Sequence, residues 1–439
     1  MLSRTRLLGS VSRFGASKRF ASTKSLKETL QEVIPAKQEQ LKKLKAEHAQ
    51  TVVGDVKVEN IIGGMRGIKA MLWEASVLDP NEGIRFHGLS IPDCQKVLPP
   101  APGGKEIIAE SMLELAEKGD LPRFVEQLID SFPATLHPMT QLGMGVAALN
   151  HDSLFQAAYE KGMKKSEYWT YMLDDCINLI ARLPALAARI YRNVYKPGTP
   201  LPAINKDLDL VGNYSTMLGF GDNHSLTEYL RLYIALHGDH EGGNASAHTA
   251  HLVGSTLSDP YLAYSAALFA LAGPLHGLAN QEVLRWQLAM QAEIGSDVSH
   301  EQIKEYLWKT LKGGQVVPGY GHGVLRNPDP RFIALQEFCD ARPELEESPI
   351  IRLVKKTYEV APDVLKEHGK TKNPYPNVDA TSGCVLYHYG LKEFKYYTVI
   401  FGVSRALGAL TQLVWSRALG LPIERPKSLS MDALEKLIK

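Results

Sequence analysis

The stretch Val316–Phe332 reads VVPGYGHGVLRNPDPRF and joins a glycine-rich loop to the start of a helix. Glycines at 319, 321 and 323 allow positive φ and the close approach of a ligand, and they place His322 on a loop rather than in a core. Asp329 and Pro330 are typical of an N-cap and first helical turn. Arg331 would then lie in the first turn, where the helix dipole disfavours a cation. Binding of an anion would explain it, and on spacing alone a purely structural loop is an equal alternative.

Outside this loop, apolar residues recur with the helical period and almost never alternate, which predicts a mainly α fold. Three helix starts are marked by local signals. They are the capping box Ser225-Leu-Thr-Glu228, the pair Asp259-Pro260, and the capping box Ser299-His-Glu-Gln302, whose helix Gly313-Gly314 would end.

The segment Tyr396–Ser416 is apolar except for Arg405 and is long enough to cross a membrane. Small residues along it suit close helix packing instead, and we expect a fully buried helix and no membrane span. A buried guanidinium cannot lose its proton and needs a partner. For Arg405 that partner is either a structural carboxylate or a bound anion, since the planar fork matches a carboxylate.

Composition describes an ordinary globular chain of 439 residues, with 44% hydrophobic and 22% charged residues, long enough for two or three domains. Residues 1–22 contain five basic residues and no acid, which predicts a mitochondrial presequence. Their removal changes the net charge from +1 to −4, which argues against a nucleic-acid partner. The four cysteines lack CxxC spacing and are expected to be reduced, buried thiols.

Polar residues gather in five glycine- or proline-bounded turns between apolar helices: the 316–332 stretch, HGDHEGGN (237–244), GPLHG (273–277), KNPYPNVD (372–379) and LPIERPK (421–427). One histidine in such a turn is usually a satisfied polar residue. Several histidines, one aspartate and several arginines together suit removal of a proton α to a carbonyl, with donors for the enolate and arginines for a polycarboxylate acceptor. That chemistry is a Claisen- or aldol-type condensation.

The motifs LHGDHEGGN, GPLHGLANQEV, VVPGYGHGVLR, DPRF, KNPYPNVDA, FGVSRALG and ERPKS together resemble the mitochondrial citrate synthase family, from about Leu26 to the C-terminus. The resemblance implies a citrate synthase-like helical homodimer without a metal or cofactor. It also implies a large helical domain (23–275 and 387–439) and a small domain (276–386) that closes after oxaloacetate binds. Its partners would be oxaloacetate and an acyl-CoA, and its location the mitochondrial matrix.

The resemblance also implies a role for each matching residue. Asp379 would take the α-proton, His276 would stabilise the enolate, and His322 would polarise the ketone of oxaloacetate. Oxaloacetate carboxylates would be bound by His240, Arg331, Arg405 and, from the partner subunit, Arg425. Coenzyme A would contact Arg66, Val316, Val317, Pro318, Gly319, Tyr320, Gly321, Arg326 and Lys372.

Some details depart from citrate synthases, which typically read GHAVLRKTDPRY and DxHSGVLLQYYG at two motifs. This chain has Gly323 and Pro328 in the first, and Thr381, Cys384 and His388 in the second. These details, with His87 and the ending GLPIERPKSL, are similar to fungal mitochondrial 2-methylcitrate synthases, which use propionyl-CoA. One methylene gives only about 1–3 kcal/mol of discrimination, so activity on both propionyl-CoA and acetyl-CoA is expected.

One segment that the family carries is missing between Met112 and Leu113, where roughly five helical turns would stand. This loss should uncover core surface, and it keeps an inactive paralogue open as an alternative, beside a dedicated citrate synthase of the tricarboxylic acid cycle. A metal site at the histidines 237, 240, 248 and 251 fails the HExxH test, because glycines interrupt the required helix.

Overall fold

The computed structural model describes residues 24–101, 103–107 and 119–439. The expected presequence (1–22) and the junction at Met112–Leu113 lie outside the described residues. The chain divides into two units, residues 1–49 and residues 50–439. In the first unit, α1 (Leu26–His48) begins at a capping box formed by Ser25 and Glu28.

The second unit is mostly helical, as predicted. Its first half contains α2 (Val58–Ile62), α3 (Ile91–Val97), α4 (Arg123–Ser131), α5 (Pro138–Ala148), α6 (Leu154–Glu160), α7 (Tyr168–Tyr195), α8 (Leu210–Leu218), α9 (His224–His237) and α10 (Ala245–Ser255). Its second half contains α11 (Pro260–Leu271), α12 (Ala279–Ile294), α13 (His300–Lys312), α14 (Pro330–Asp340), α15 (Pro343–Glu346), α16 (Pro349–His368), α17 (Asp379–His388), α18 (Tyr397–Ala418) and α19 (Met431–Ile438). Single 3-10 turns lie at Leu149–Asp152, Lys165–Glu167 and Phe394–Tyr396.

A small hairpin, which the sequence pattern did not indicate, pairs β1 (Ser76–Asp79) with β2 (Gly83–Phe86) in antiparallel register. The pairing places Ser76 opposite Phe86 and Asp79 opposite Gly83. With four residues a strand, the hairpin is too short to show a reliable alternating pattern.

The main core surrounds α18, which packs against α7, α9, α10 and α11. The helix is long and apolar enough to cross a membrane by composition, but 94% of its most apolar window is buried inside the protein. The expectation of a buried helix is therefore confirmed. Arg405 lies in the middle of this helix and is 2% exposed.

A second apolar cluster lies within residues 290–365 and joins α12, α13 and α16. Met290, Ile303, Leu307 and Leu353 are fully buried in it. The residues that contribute to this cluster all fall inside the segment 276–386, for which the family resemblance predicts a small domain.

Two of the three predicted helix starts are confirmed. Asp259 caps α11, and Ser299 forms a capping box with Gln302 before α13, which Gly313 ends. The prediction that Ser225 is the N-cap is wrong, because α9 begins at His224 and its N-cap is Asn223, two residues before Ser225. Asn223 accepts the Leu226 N–H, and the Glu228 carboxylate is bound by Arg231 instead. The four cysteines are free and buried, as expected.

Candidate active site

The glycine-rich loop runs from α13 to α14 and pairs with the segment before α17. Gly321 N–H donates to the Tyr375 carbonyl (3.1 Å), and Asn377 N–H donates to the Gly319 carbonyl (2.9 Å). Gly319 and Gly321 have φ of 79° and 90°, which other residues rarely adopt. A Cβ at Gly319 would lie 2.8 Å from Ala380 Cα in the first turn of α17. Glycine is needed at 319 because it lets the loop lie directly against the start of α17.

His322 follows Gly321 on this loop, and its hydrogen bonds define its tautomer. Nδ1 accepts the backbone N–H groups of Val324 and Leu325, both at 3.0 Å, so the proton is on Nε2 and can be donated. Burial, with Arg331 nearby, lowers the pKa of His322 to about 4, so the ring is neutral at pH 7. Gly323 does not have a positive φ and has open space around it, so the expectation of a special backbone is wrong there.

His240 lies in the turn between α9 and α10 and faces His322, with ring centroids 5.1 Å apart. Its Nε2 is buried and has no hydrogen-bond partner within the described parts of the chain. Burial, together with the nearby Arg331, lowers the pKa of His240 well below its usual value. A buried polar atom without a partner is costly, so a ligand that accepts or donates there would be favoured.

Asp379 is the first residue of α17, and its backbone N–H donates to Asn377 Oδ1 at 3.0 Å. Its carboxylate Oδ1 is buried and has no partner among the residues described. Burial raises the pKa of Asp379 to about 6, although Arg331 and Arg405 both act to lower it. An ionised carboxylate with such a pKa is a stronger base than an exposed one and is charged at pH 7.

Arg331 is buried at the start of α14 beside Asp329, the N-cap of the same helix. Its Nε lies 3.0 Å and its Nη2 2.6 Å from the Asp329 carboxylate oxygens. Burial alone would raise the pKa of Asp329, but the guanidinium outweighs it and holds that pKa below its usual value. The same carboxylate accepts the Val378 N–H (3.3 Å), which ties α14 to the residue before Asp379. Arg331 therefore has an internal carboxylate partner, which its position in the first turn did not indicate.

Arg405 donates only to neutral oxygens. Its Nε donates to the His237 carbonyl (3.1 Å), its Nη1 donates to Asn244 Oδ1 (2.9 Å), and it lies 4.8 Å over the Phe401 ring. No carboxylate of the described residues lies within 4.0 Å of it, and Asp239 is the neighbour that most favours its charge. Burial lowers the pKa of Arg405 to about 10, so it keeps its proton at pH 7.

His276 lies in the turn between α11 and α12 and contacts the first turn of α10. Its Nε2 accepts the Ser246 N–H (3.2 Å) and lies 2.8 Å from Ser246 Oγ. The remaining proton is therefore on Nδ1, which can donate to a substrate. Burial, with Arg405 nearby, lowers the pKa of His276 to about 4, so this ring is also neutral at pH 7.

These six predicted residues belong to one electrostatic cluster. Arg405 affects the pKa of His240, His276 and Asp379, and Arg331 affects the pKa of His240, His322 and Asp379. The site therefore combines one base, three neutral imidazoles and two buried cations. This set can remove a carbon-bound proton and bind a dicarboxylate.

Other predicted residues lie outside this cluster. Arg425 is exposed, as are Arg66, Val316, Arg326 and Lys372. Arg326 donates to the carbonyls of Val324 and Leu325, both at 2.8 Å. The remaining members of the predicted coenzyme A set are Val317 and Gly319, which are buried, and Pro318, Tyr320 and Gly321, which are partly buried.

Sequence reasoning missed four residues that position the site: Asn244, Ser246, Asp329 as the partner of Arg331, and Asn377. Asn244 is the N-cap of α10 and also accepts from Arg405. Its place before an alanine-rich helical run is a recognisable capping signal. The contact between Ser246 and His276 spans 30 residues and has no local signal.

The histidines of the metal hypothesis fall into two separate groups. His240 belongs to the cluster described above, and the His237 carbonyl accepts from Arg405 of that cluster. His248 and His251 instead both bind Glu424. Within residues 24–101, 103–107 and 119–439, no group of three metal-ligating side chains could hold a metal ion.

Known proteins are similar to this chain in sequence and in fold. A family model described as "Citrate synthase, C-terminal domain" matches residues 64–427. A mitochondrial 2-methylcitrate synthase of Fusarium solani is 56% identical, over 94% of this chain and 92% of that protein. A mitochondrial citrate synthase of Aspergillus niger is 54% identical, over 94% and 91%.

A solved structure also matches, that of the citrate synthase of Thermoplasma acidophilum in a ternary complex with carboxymethyl coenzyme A and oxaloacetate. It has a TM-score of 0.68 and 21% identity, and covers 86% of this chain and 97% of that one. At this identity the likeness concerns the fold.

The matched family model and relatives are those of condensing enzymes, and an unpartnered buried carboxylate among neutral donors and buried cations suits that chemistry. The chain belongs to the citrate synthase family. The resemblance noted from its motifs is therefore confirmed, as is the mainly α fold.

Proposed function

We propose that the protein is a 2-methylcitrate synthase, which condenses propionyl-CoA, oxaloacetate and water to 2-methylcitrate and CoA, and that it also uses acetyl-CoA as a citrate synthase does. The observation that carries the proposal is Arg405, a buried cation whose hydrogen bonds go to neutral oxygens. A dicarboxylate supplies the charge that it lacks. Relatives of both kinds match at 54–56% identity, and a 2-methylcitrate synthase is the more similar of the two reported.

Oxaloacetate would bind first, with its carboxylates on Arg331, Arg405 and Arg425 of the partner subunit. His240 would also bind a carboxylate, and the Nε2–H of His322 would donate to the ketone oxygen. Asp379 would then take an α-proton of the acyl-CoA, and the thioester oxygen would accept the Nδ1–H of His276. Neutral imidazoles suit this role because they donate without first having to lose a charge.

The enol carbon would attack the ketone carbon and form the new carbon–carbon bond, while the ketone oxygen takes a proton from His322. Water would then add to the thioester carbon and return a proton to His322. The carbon–sulfur bond would break, and CoA would leave as the thiol with the proton held by Asp379. No cofactor is required, because coenzyme A enters and leaves as part of a substrate. The loop at 316–321, with Arg66, Arg326 and Lys372, would hold it.

The small domain would comprise residues 276–386 and close over the substrates. The separate apolar cluster of α12, α13 and α16 supports this boundary, because a closing domain needs a core of its own. The small domain would contain His276, His322 and Asp379, whereas His240 and Arg405 would belong to the large domain. The homodimer and the mitochondrial matrix complete the proposal, and the matched relatives are named as mitochondrial.

The residues that depart from citrate synthases do not all line Asp379. Thr381 and Cys384 are both fully buried on α17. The Thr381 hydroxyl accepts from Gln336 on α14 at 2.7 Å. They would affect acyl-CoA choice through the placement of α17 on α14 rather than through contact with the acyl group.

The test follows the free thiol of CoA with propionyl-CoA and acetyl-CoA in parallel, each with and without oxaloacetate. We expect thiol release with both acyl-CoAs that depends on oxaloacetate and survives treatment with a chelator. Release from acetyl-CoA alone would indicate a dedicated citrate synthase. Absence of release from either would indicate an inactive paralogue, and loss restored by zinc would revive the metal hypothesis.

A further inference from the structure

The segment that follows α18 is stiffened by two prolines. It reads Leu421-Pro-Ile-Glu424-Arg425-Pro426-Lys, and it forms neither helix nor strand. Proline fixes its own φ and restricts the residue before it to extended backbone. In extended backbone, consecutive side chains point to opposite sides. Glu424 and Arg425 are therefore expected to point in opposite directions.

The Glu424 side chain lies against one face of α10. His248, His251 and Ser255 stand at helical spacings of three and four residues, which places them on one face. His248 Nε2 lies 3.2 Å from one carboxylate oxygen of Glu424, and His251 Nδ1 is bonded to the other. The backbone N–H of Glu424 donates to Ser255 Oγ at 3.0 Å. Three consecutive positions of the helix face therefore hold a single residue of the segment.

Arg425 has the opposite surroundings. It is exposed, and no residue that the structure describes forms a hydrogen bond or ion pair with its guanidinium. The Glu424 side chain is only 24% exposed, and that of His251 only 7%. Glu424 and Arg425 are adjacent in a stiff segment, so the bonds that hold Glu424 also determine the position of the Arg425 backbone.

The other end of α10 already serves the site. Its N-cap Asn244 accepts from Arg405, and Ser246 in its first turn bonds to His276. One helix of eleven residues therefore holds two site residues at its N-terminus and the segment of a third near its C-terminus.

We propose that Glu424 is a positioning residue for Arg425: its clamp on His248 and His251 presents the guanidinium to the partner subunit. This inference rests on the proposed function, in which Arg425 binds a carboxylate of oxaloacetate in the partner's site. Without the clamp, the segment must be ordered when oxaloacetate binds, and ordering one long side chain weakens binding roughly three- to tenfold.

The test compares Glu424→Ala with Glu359→Ala. Glu359 also pairs with a histidine, His300 (2.7 Å), on an exposed surface and is bonded to no residue of the site, which makes it the control. We expect Glu424→Ala to raise the KM for oxaloacetate roughly three- to tenfold, with kcat and the KM for acyl-CoA close to wild type. Glu359→Ala should leave all three parameters unchanged. An unchanged KM for oxaloacetate in Glu424→Ala would overturn the proposal.

A double variant separates positioning from general support of the structure. If Glu424 acts through Arg425, Glu424→Ala should have no further effect on the KM for oxaloacetate in an Arg425→Ala background. A full additional loss would contradict the positioning role. If Glu424→Ala does not fold, His248→Ala removes one partner at a partly exposed position and should produce a smaller rise in the same KM.

The two levels of the proposal fail differently. A wild-type enzyme that releases no thiol from either acyl-CoA contradicts the proposed function. An active wild type with an unaltered KM for oxaloacetate in both Glu424→Ala and His248→Ala contradicts only the positioning role of Glu424.

Discussion

Two buried arginines of the site belong to different helices and are compensated in different ways. Arg331, at the start of α14, forms a two-point ion pair with Asp329 two residues earlier. Arg405, in the middle of α18, donates to a carbonyl and an amide oxygen. The first arginine is neutralised by its own helix cap, whereas the second keeps a charge that the described protein does not directly pair. The difference indicates that a bound anion matters most to Arg405.

Replacement of the carboxylate that both arginines influence should have the largest effect on activity. Asp379 is the carboxylate whose pKa both cations act to lower. Replacing it by glycine should reduce kcat by about 10²–10⁴-fold, because general base catalysis is worth that much. Oxaloacetate binding, measured by calorimetry, should change little because both arginines remain. A variant that keeps most of its activity would show that Asp379 is not the base.

Replacing each arginine by methionine should change the free energy of unfolding by different amounts. Arg331→Met leaves Asp329 as an unpaired buried carboxylate and should lower the free energy of unfolding by about 3–5 kcal/mol. Arg405→Met removes a buried charge that has no carboxylate within 4.0 Å among the described residues, and Asp239 keeps the His240 N–H as a hydrogen-bond donor, so unfolding in urea should change less. Both variants should bind oxaloacetate poorly. Equal destabilisation of the two variants would contradict the difference in compensation.

The pH profile tests whether the neutral histidines and the base titrate apart. Burial raises the pKa of Asp379 to about 6, whereas burial lowers the pKa of His322 and His276 to about 4. As pH falls below 6, protonation of Asp379 should reduce kcat roughly tenfold per pH unit, while both rings stay neutral until about pH 4. An acid limb that begins near pH 4 would contradict the raised pKa of Asp379.

The same shifts act on stability with opposite signs. A carboxyl pKa raised on folding stabilises the native state as pH falls through 6, whereas histidine pKa values lowered on folding destabilise it as pH falls below their unfolded value near 6.5. Within the site the lowered histidines outnumber the raised aspartate, so the site contributes a net loss of stability between pH 6.5 and 4. Thermal unfolding measures this loss together with the opposite contribution of raised carboxyls elsewhere, such as Asp175.

The smallest effect concerns two glycines in the loop on the Arg331 side. Gly319→Ala requires a Cβ 2.8 Å from Ala380 Cα at positive φ, and should destabilise the fold by more than about 1 kcal/mol. Gly323→Ala meets open space without a positive φ and should stabilise it by about 0.4–1 kcal/mol. Thermal unfolding of both variants checks the difference. A change in acyl-CoA preference in Gly323→Ala would give that position a role beyond the backbone.

Local signals in the sequence were reliable where one residue satisfied a helix end without competition. The capping box at Ser299 and the cap at Asp329 formed as predicted. The box at Ser225 failed because Asn223 caps α9 and because Arg231, one turn further on, takes the Glu228 carboxylate. Its other oxygen accepts the N–H groups of Lys105 and Glu106, contacts more than 120 residues apart that no local pattern contains.

The sequence by itself determined the helical class, the buried helix around Arg405 and the residue types of the site, because periodicity, turn chemistry and the cost of a buried charge are local properties. Tertiary structure decided the rest. Neutral oxygens of distant residues became the partners of Arg405, and Ser246 set the tautomer of His276. The pKa of Asp379 was decided there too, since desolvation depends on which distant elements close around a group.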